Sequence, residues 1–176
     1  FQYSTIRTGA RAKDYWSCLQ WIEDAGIIRR CYNLQMPELP LAGNAIDNVF
    51  KVYMADTGLF VSMLEDGTQA DILQGDLLGY KGAIFENLLA DFLGKMQCPL
   101  YYYHKEGGLE IDFVMRYKGE CTLLECKATT GHAKSLRTIL SNPDKYHIYQ
   151  AIKVGSYNIG RSDGILTIPH YLAFCL

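Results

Sequence analysis

The residues best equipped for chemistry fall in one short stretch. It runs Glu110-Ile111-Asp112-Phe113-Val114-Met115-Arg116, then Tyr117-Lys118-Gly119-Glu120, then Cys121-Thr122-Leu123-Leu124-Glu125-Cys126-Lys127-Ala128. Apolar residues dominate both arms and Gly119 marks a tight turn, so the stretch reads as a β-hairpin. A loop centred between Lys118 and Gly119 sets Asp112 opposite Glu125 and Glu110 opposite Lys127. Side chains alternate along a strand, so Glu125 and Lys127 share one face and Asp112 joins them across the ladder. Directly opposed residues have Cβ atoms about 4.5–5.5 Å apart, and like charges at that separation destabilise a sheet. Leu123, Leu124 and Cys126 surround Glu125, which implies a central and mostly buried strand. Two carboxylates pressed together there need either a raised pKa or a cation between them.

A hard divalent ion answers that need. Mg²⁺ (or Mn²⁺) typically takes one or two protein carboxylates and fills its shell with water and phosphate oxygens. Lys127 would add a second positive charge, and an anionic substrate, a phosphodiester first of all, would complete the site. The same residues also admit a plain structural reading. In it, Glu110 and Lys127 form a cross-strand ion pair and Asp112 sits at a solvated edge. A three-residue loop would slip the register and send Asp112 against Leu124 or Cys126.

The elements that must position these groups follow from the periodicity. Residues 10–25 carry Ala12, Tyr15, Trp16, Leu19 and Ile22 on one helical face, with Gly26 as the stop and a basic strand from Ile27 to Leu34 behind it. A helix, a glycine and a basic strand make up the second half of a winged helix. Arg7, Arg11, Arg29 and Arg30 could give that remnant a DNA-facing surface, or simply solubilise it. Met36-Pro37-Glu38-Leu39-Pro40-Leu41 reads as an extended linker, which places a boundary after residue 36. Val49 to Met54 is a strand, and Asp56 caps a helix running to Leu64. Residues 66–79 carry no clear pattern. Tyr80 to Leu93 is a helix with Ile84, Phe85, Leu88, Leu89, Phe92 and Leu93 on one broad apolar face. Further strands are expected at Tyr101–Tyr103, His147–Val154 and Ile165–Phe174, with a short helix over His132–Ser141. Strands flanked by helices imply an α/β layer fold.

Composition bounds the rest. The chain has 176 residues, about one domain or one domain plus a fragment. With 49% hydrophobic and 20% charged residues it is globular in make-up, which excludes disorder, collagen-like repeats and coiled coil. No apolar run approaches the roughly 20 residues needed to cross a bilayer, so no membrane partner is expected. The formal net charge is −2, so any nucleic-acid contact must come from a local basic face. Six cysteines form no C-x-x-C pair and have no histidine at zinc-ligand spacing, which points to free thiols in a reducing, cytoplasmic setting. Phe1 in place of Met, with no signal peptide behind it, reads as a piece of a longer protein.

Asp followed by Glu-x-Lys on a hairpin resembles the PD-(D/E)XK restriction-endonuclease-like superfamily. More closely, GAIFENLLADFL (82–93), FKVYMADTGL (50–59), the tyrosine run before EIDFV, LLECKA (123–128) and ARAKDYWSCLQWIEDAGII (10–28) resemble the uncharacterised C-terminal domain of prokaryotic AAA-type ATPases. In that family a P-loop ATPase is followed by a winged helix and then a nuclease-like domain. The resemblance implies a restriction-endonuclease-like mixed sheet flanked by helices, with a winged-helix fragment over 1–36 and the nuclease-like domain over 37–176. It implies that Asp112 and Glu125 bind Mg²⁺ with Glu86 assisting, and that Lys127 orients the attacking water or stabilises transition-state charge. Lys134, Arg137, Lys145 and Lys153 become candidates for phosphate contacts, although each taken singly also reads as solvated surface. DNA and the protein's own ATPase domain are the implied partners, with ATP confined to that ATPase. The alternative is a catalytically inactive nuclease fold that binds DNA, a protein partner or its own ATPase. The sequence departs from the superfamily at the first motif, where Ile111-Asp112 replaces the usual Pro-Asp.

Other signals carry less. Gly131-His132-Ala133-Lys134-Ser135 lacks the glycine that a P-loop places before its lysine, and no other P-loop pattern occurs. Tyr101, Tyr102 and Tyr103 could stack bases, although alternation favours packing for Tyr102. His104 and His132 lie near the hairpin in sequence and could assist proton transfer, or sit on the surface.

Overall fold

A computed structural model describes residues 12–76 and 79–176. Among the described residues, eight strands form a single mixed sheet in the order β2-β1-β3-β4-β5-β6-β8-β7. The strands are β1 (Ile28–Leu34), β2 (Ala45–Met54), β3 (Leu100–Lys105), β4 (Leu109–Tyr117), β5 (Glu120–Cys126), β6 (Ala151–Gly155), β7 (Gly160–Ser162) and β8 (Ile165–Pro169). The pairs β1/β3, β5/β6 and β6/β8 are parallel and the others antiparallel. The α/β layer architecture expected from the sequence is the one observed.

Helices cover both faces. On one, α4 (Lys81–Lys95) lays Leu89, Ala90 and Leu93 on Phe113, Leu124, Ile152 and Val154. On the other, α5 (Lys134–Leu140) and α6 (Pro143–Tyr146) bring Leu136, Ile139 and Tyr146 onto Ile111, Val114, Leu123 and Ala151. The tyrosine run splits as alternation requires, with Tyr102 toward α4 and Tyr103 edge-on to Tyr146. A smaller cluster of Leu19, Ile28 and Phe50 holds α1 (Ala12–Asp24) on the sheet.

Three features depart from the sequence reading. β1 lies on the N-terminal side of residue 36 yet pairs with β3 inside the main sheet, so the sheet is unbroken at that position. Arg30 is buried rather than DNA-facing. Its guanidinium bonds Glu23 and Gln20 and lies 4.5 Å from the Trp16 ring centroid. Arg29 packs over Gly94, where a Cβ would meet its side chain, while Arg7 and Arg11 lie outside the described residues. Finally, the last strand stops at Pro169, and residues 170–175 wind into a 3-10 helix against α4. Residues 66–79, unassigned from sequence, include α3 (Thr68–Gln74).

Candidate active site

The β4–β5 hairpin turns at Lys118 and Gly119, both with positive φ (51° and 89°), the geometry of a two-residue turn matched to strand twist. Its pairs run from Tyr117↔Glu120 to Phe113↔Leu124, the register that a loop centred on those residues dictates. Beyond Phe113 the ladder gives way to a side-chain bond, with the Cys126 amide donating to Asp112 Oδ2 at 2.8 Å.

A β-bulge sets the aim of Asp112. Tyr101 pairs with Val114 and Tyr103 with Ile111, so residues 112 and 113 together lie opposite Tyr102. Bulges re-aim side chains. Here the bulge brings Asp112 to the α4 side, where its charge acts on Tyr53, Cys31 and Cys126. Strict alternation would not have placed it there.

Glu125 is 6% exposed, and its Oε1 accepts from Lys127 Nζ at 2.5 Å. Its other oxygen, Oε2, is buried without a partner. Glu86, on α4, accepts from the Tyr53 hydroxyl and from Lys51 Nζ at 3.2 Å. Lys51 also reaches Glu110 Oε1 at 2.7 Å, so one ammonium bridges two carboxylates. The cross-strand pair expected between Glu110 and Lys127 is therefore absent, because each has found a nearer partner.

The four expected groups feel one another. Burial, then the charges of Glu125 and Glu86, push Asp112 up to about 7. Burial raises Glu125 as well, against the opposing hydrogen bond and charge of Lys127. Burial works against the Lys127 ammonium, but its bond to Glu125 and the charges of Glu125 and Asp112 outweigh that and raise its pKa. Lys127 is thus a fixed cation and not a proton acceptor at neutral pH. Lys51 is likewise raised, with burial opposed by Glu86 and Glu110.

Of the basic candidates, Lys153 stands in register with Glu125 on β6, donates to the Gly131 carbonyl at 3.3 Å and covers the Tyr157 ring. Lys134 and Arg137 are exposed on α5, and Lys145 lies exposed over the Tyr146 ring on α6, each in the layer opposite α4. His104 is exposed and tied by its main chain to Asn33; His132 is exposed. Sequence reasoning missed Lys51, Tyr53 and His170. A lysine two residues from a tyrosine inside the apolar run VFKVYM was the available signal for the first two. His170 Nε2 lies 2.8 Å from the Lys127 carbonyl, which only an N–H can satisfy, and its ring stacks on Phe85 at 4.1 Å. That contact fixes the backbone carrying Lys127 and left no local sequence mark.

Among the described residues, no three His, Cys, Asp or Glu side chains are gathered closely enough to hold a metal ion as they stand. A pair of carboxylates, one with an unpaired buried oxygen, still fits a Mg²⁺-type ion, which keeps most of its shell in water and phosphate.

Fold and site together define an α/β protein with a carboxylate–lysine centre where β4, β5 and α4 meet. Residues 81–171, just over half of the chain, match the family described as Domain of unknown function (DUF4143), and the protein belongs to that family. Glu86, Asp112, Glu125 and Lys127 all fall inside the match. Residues 1–70 match a second family, Domain of unknown function (DUF8612), so the two matches adjoin between residues 70 and 81. Searches of curated proteins and of solved structures give no match.

Proposed function

We propose that the protein is a metal-dependent, nuclease-type phosphodiesterase acting on DNA, the C-terminal part of a cytoplasmic AAA-type ATPase whose ATP site lies outside this chain. The observation that carries this reading is the electrostatic one. Burial and the neighbouring carboxylates raise the proton affinity of Asp112 and Glu125 beside a lysine that stays charged, and Glu125 keeps a buried oxygen unpaired. Asp112 and Glu125 would hold Mg²⁺ or Mn²⁺. Glu86 would assist from α4, where Lys51 and Tyr53 hold its carboxylate in place. When bound, the ion would polarise a phosphodiester and ease deprotonation of water. Lys127, an ammonium beside Glu125, orients a water and offers positive charge to the pentavalent phosphorus centre. Lys153, in register with Glu125 on the neighbouring strand, would meet a flanking phosphate.

The test is plasmid nicking by purified protein in Mg²⁺ or Mn²⁺. Lys127→Ala is expected to abolish it, and nicking that survives the substitution would end the assignment. A second reading, a catalytically silent nuclease fold that binds DNA, a protein partner or its own ATPase, is favoured by one fact. Glu86 Oε1 already accepts from Lys51 and from Tyr53, so an internal cation balances its charge. It predicts salt-sensitive DNA binding that is indifferent to divalent ions.

A further inference from the structure

Beside Glu86 opens a cavity of about 630 Å³, large enough for a nucleotide. One wall is β2, with Lys51, Tyr53 and Met54; the other is α2 (Thr57–Ser62) and the turn after it, with Phe60, Met63 and Leu64. α2 buries none of its own residues and Met63 is 67% exposed, so Phe60 of the helix, with Met63 and Leu64 after it, lines this space and not the core. It is nonetheless held firmly. Asp56 caps it through the Leu59 amide at 2.8 Å, and Asp91 on α4 accepts from both the amide and the hydroxyl of Thr57.

We infer that this cavity takes an unpaired nucleobase, so that the substrate strand is single-stranded or carries an extruded nucleotide at the point of cleavage. The inference rests on the phosphodiesterase reading and adds to it the form of the nucleic acid. The cavity shares Lys51, Tyr53 and Glu86 with the carboxylate centre, so a base seated here has its phosphate beside the site. Lys51 has three N–H donors, and Glu86 and Glu110 take two, which leaves one for a phosphate oxygen. A phenyl ring and two thioethers offer stacking and dispersion, which every base satisfies. The polar groups nearby are already committed. Asn87 exchanges both amide groups with the Met54 backbone, and the Tyr53 hydroxyl donates to Glu86. Stacking and dispersion are open to any base, so recognition here rests on the ring face and not on a base edge. A base within a duplex stack cannot enter, so the strand must present one outside it.

The experiment uses a short oligothymidylate carrying one 2-aminopurine, alone or annealed to its complement, titrated with the 176-residue chain in EDTA. The single strand is expected to bind with quenched fluorescence and the duplex at least tenfold more weakly. Phe60→Ala should weaken single-strand binding by about tenfold, the usual cost of one lost stacking platform. Met63→Ser, at an exposed position where folding is not at stake, should act in the same direction. Equal binding of single strand and duplex, with neither substitution having an effect, overturns the inference; nicking by the same protein in Mg²⁺ would then leave the nuclease reading standing. Stacking that depends on Phe60 without cleavage in Mg²⁺ or Mn²⁺ upholds the cavity and ends the hydrolytic reading. Absence of any oligonucleotide binding also overturns it and gives the cleft to an apolar partner segment.

Discussion

Asp112 concentrates the electrostatic tension of the site. Burial, Glu125 and Glu86 together hold its carboxyl near 7, far above the 3.8 of a free aspartate. A folded-state pKa above the unfolded one means that folding takes up a proton. The resulting stabilisation is complete below the unfolded value and is lost as the pH rises through about 7. In metal-free buffer the urea midpoint of the protein should therefore fall between pH 6 and pH 8 relative to that of Asp112→Asn, whose amide carries no charge. Parallel profiles for the two proteins would remove the coupling. Lys51 is the counterpart on the cationic side. Replacing it by Met leaves Glu86 and Glu110 facing each other without compensation, and a loss of about 1–3 kcal/mol in urea unfolding is expected.

The elements differ in how far their neighbours could be anticipated. The hairpin was legible because its two signals are local: alternation, and the Lys118-Gly119 turn that fixes the pairing. Strict alternation failed only at the bulge, where the extra residue in β4 is set by pairing with β3 and not by anything in the hairpin itself. α4 shows a different limit. Its apolar stripe predicted contact with the sheet, and Leu89 and Leu93 make it. Asn87 and Asp91 lie outside that stripe, yet both are buried, because β2 and α2 close over the opposite side of the helix and offer backbone groups to those side chains. Such partners lie more than thirty residues away and depend on the parallel β1–β3 pairing, which no short pattern encodes. The same distance hid Lys51 and Tyr53 from the sequence. Asp91→Ala tests the clamp. It strips the acceptor from Thr57 and Lys95, and should cost about 1–3 kcal/mol. Amide exchange should accelerate first in α2, which has no buried side chain of its own to hold it. Uniform acceleration across the sheet would show that α2 has no separate stability.

For the whole molecule, a net charge of −2 conceals a strong local imbalance. Glu86, Glu110, Asp112 and Glu125 gather at one end of the sheet, and among the described residues Lys51 and Lys127 are the cations paired into the group. A divalent ion that binds only the folded chain stabilises it by about 2.7 kcal/mol at a hundred times its dissociation constant. In a domain of this size that corresponds to about 5–10 °C in melting temperature. Mn²⁺ at saturating concentration should produce a rise of that order in the wild type, and Glu125→Gln should remove most of it. The ion must also displace the proton that Asp112 retains up to about pH 7, so the rise should be small at pH 6 and approach its full size by pH 8. This direction is opposite to the metal-free trend, which separates ion binding from a general effect of pH. If melting at pH 8 is unchanged by Mn²⁺ while Lys51→Met destabilises the protein, the two lysines alone neutralise the cluster, and the fold serves binding and not hydrolysis.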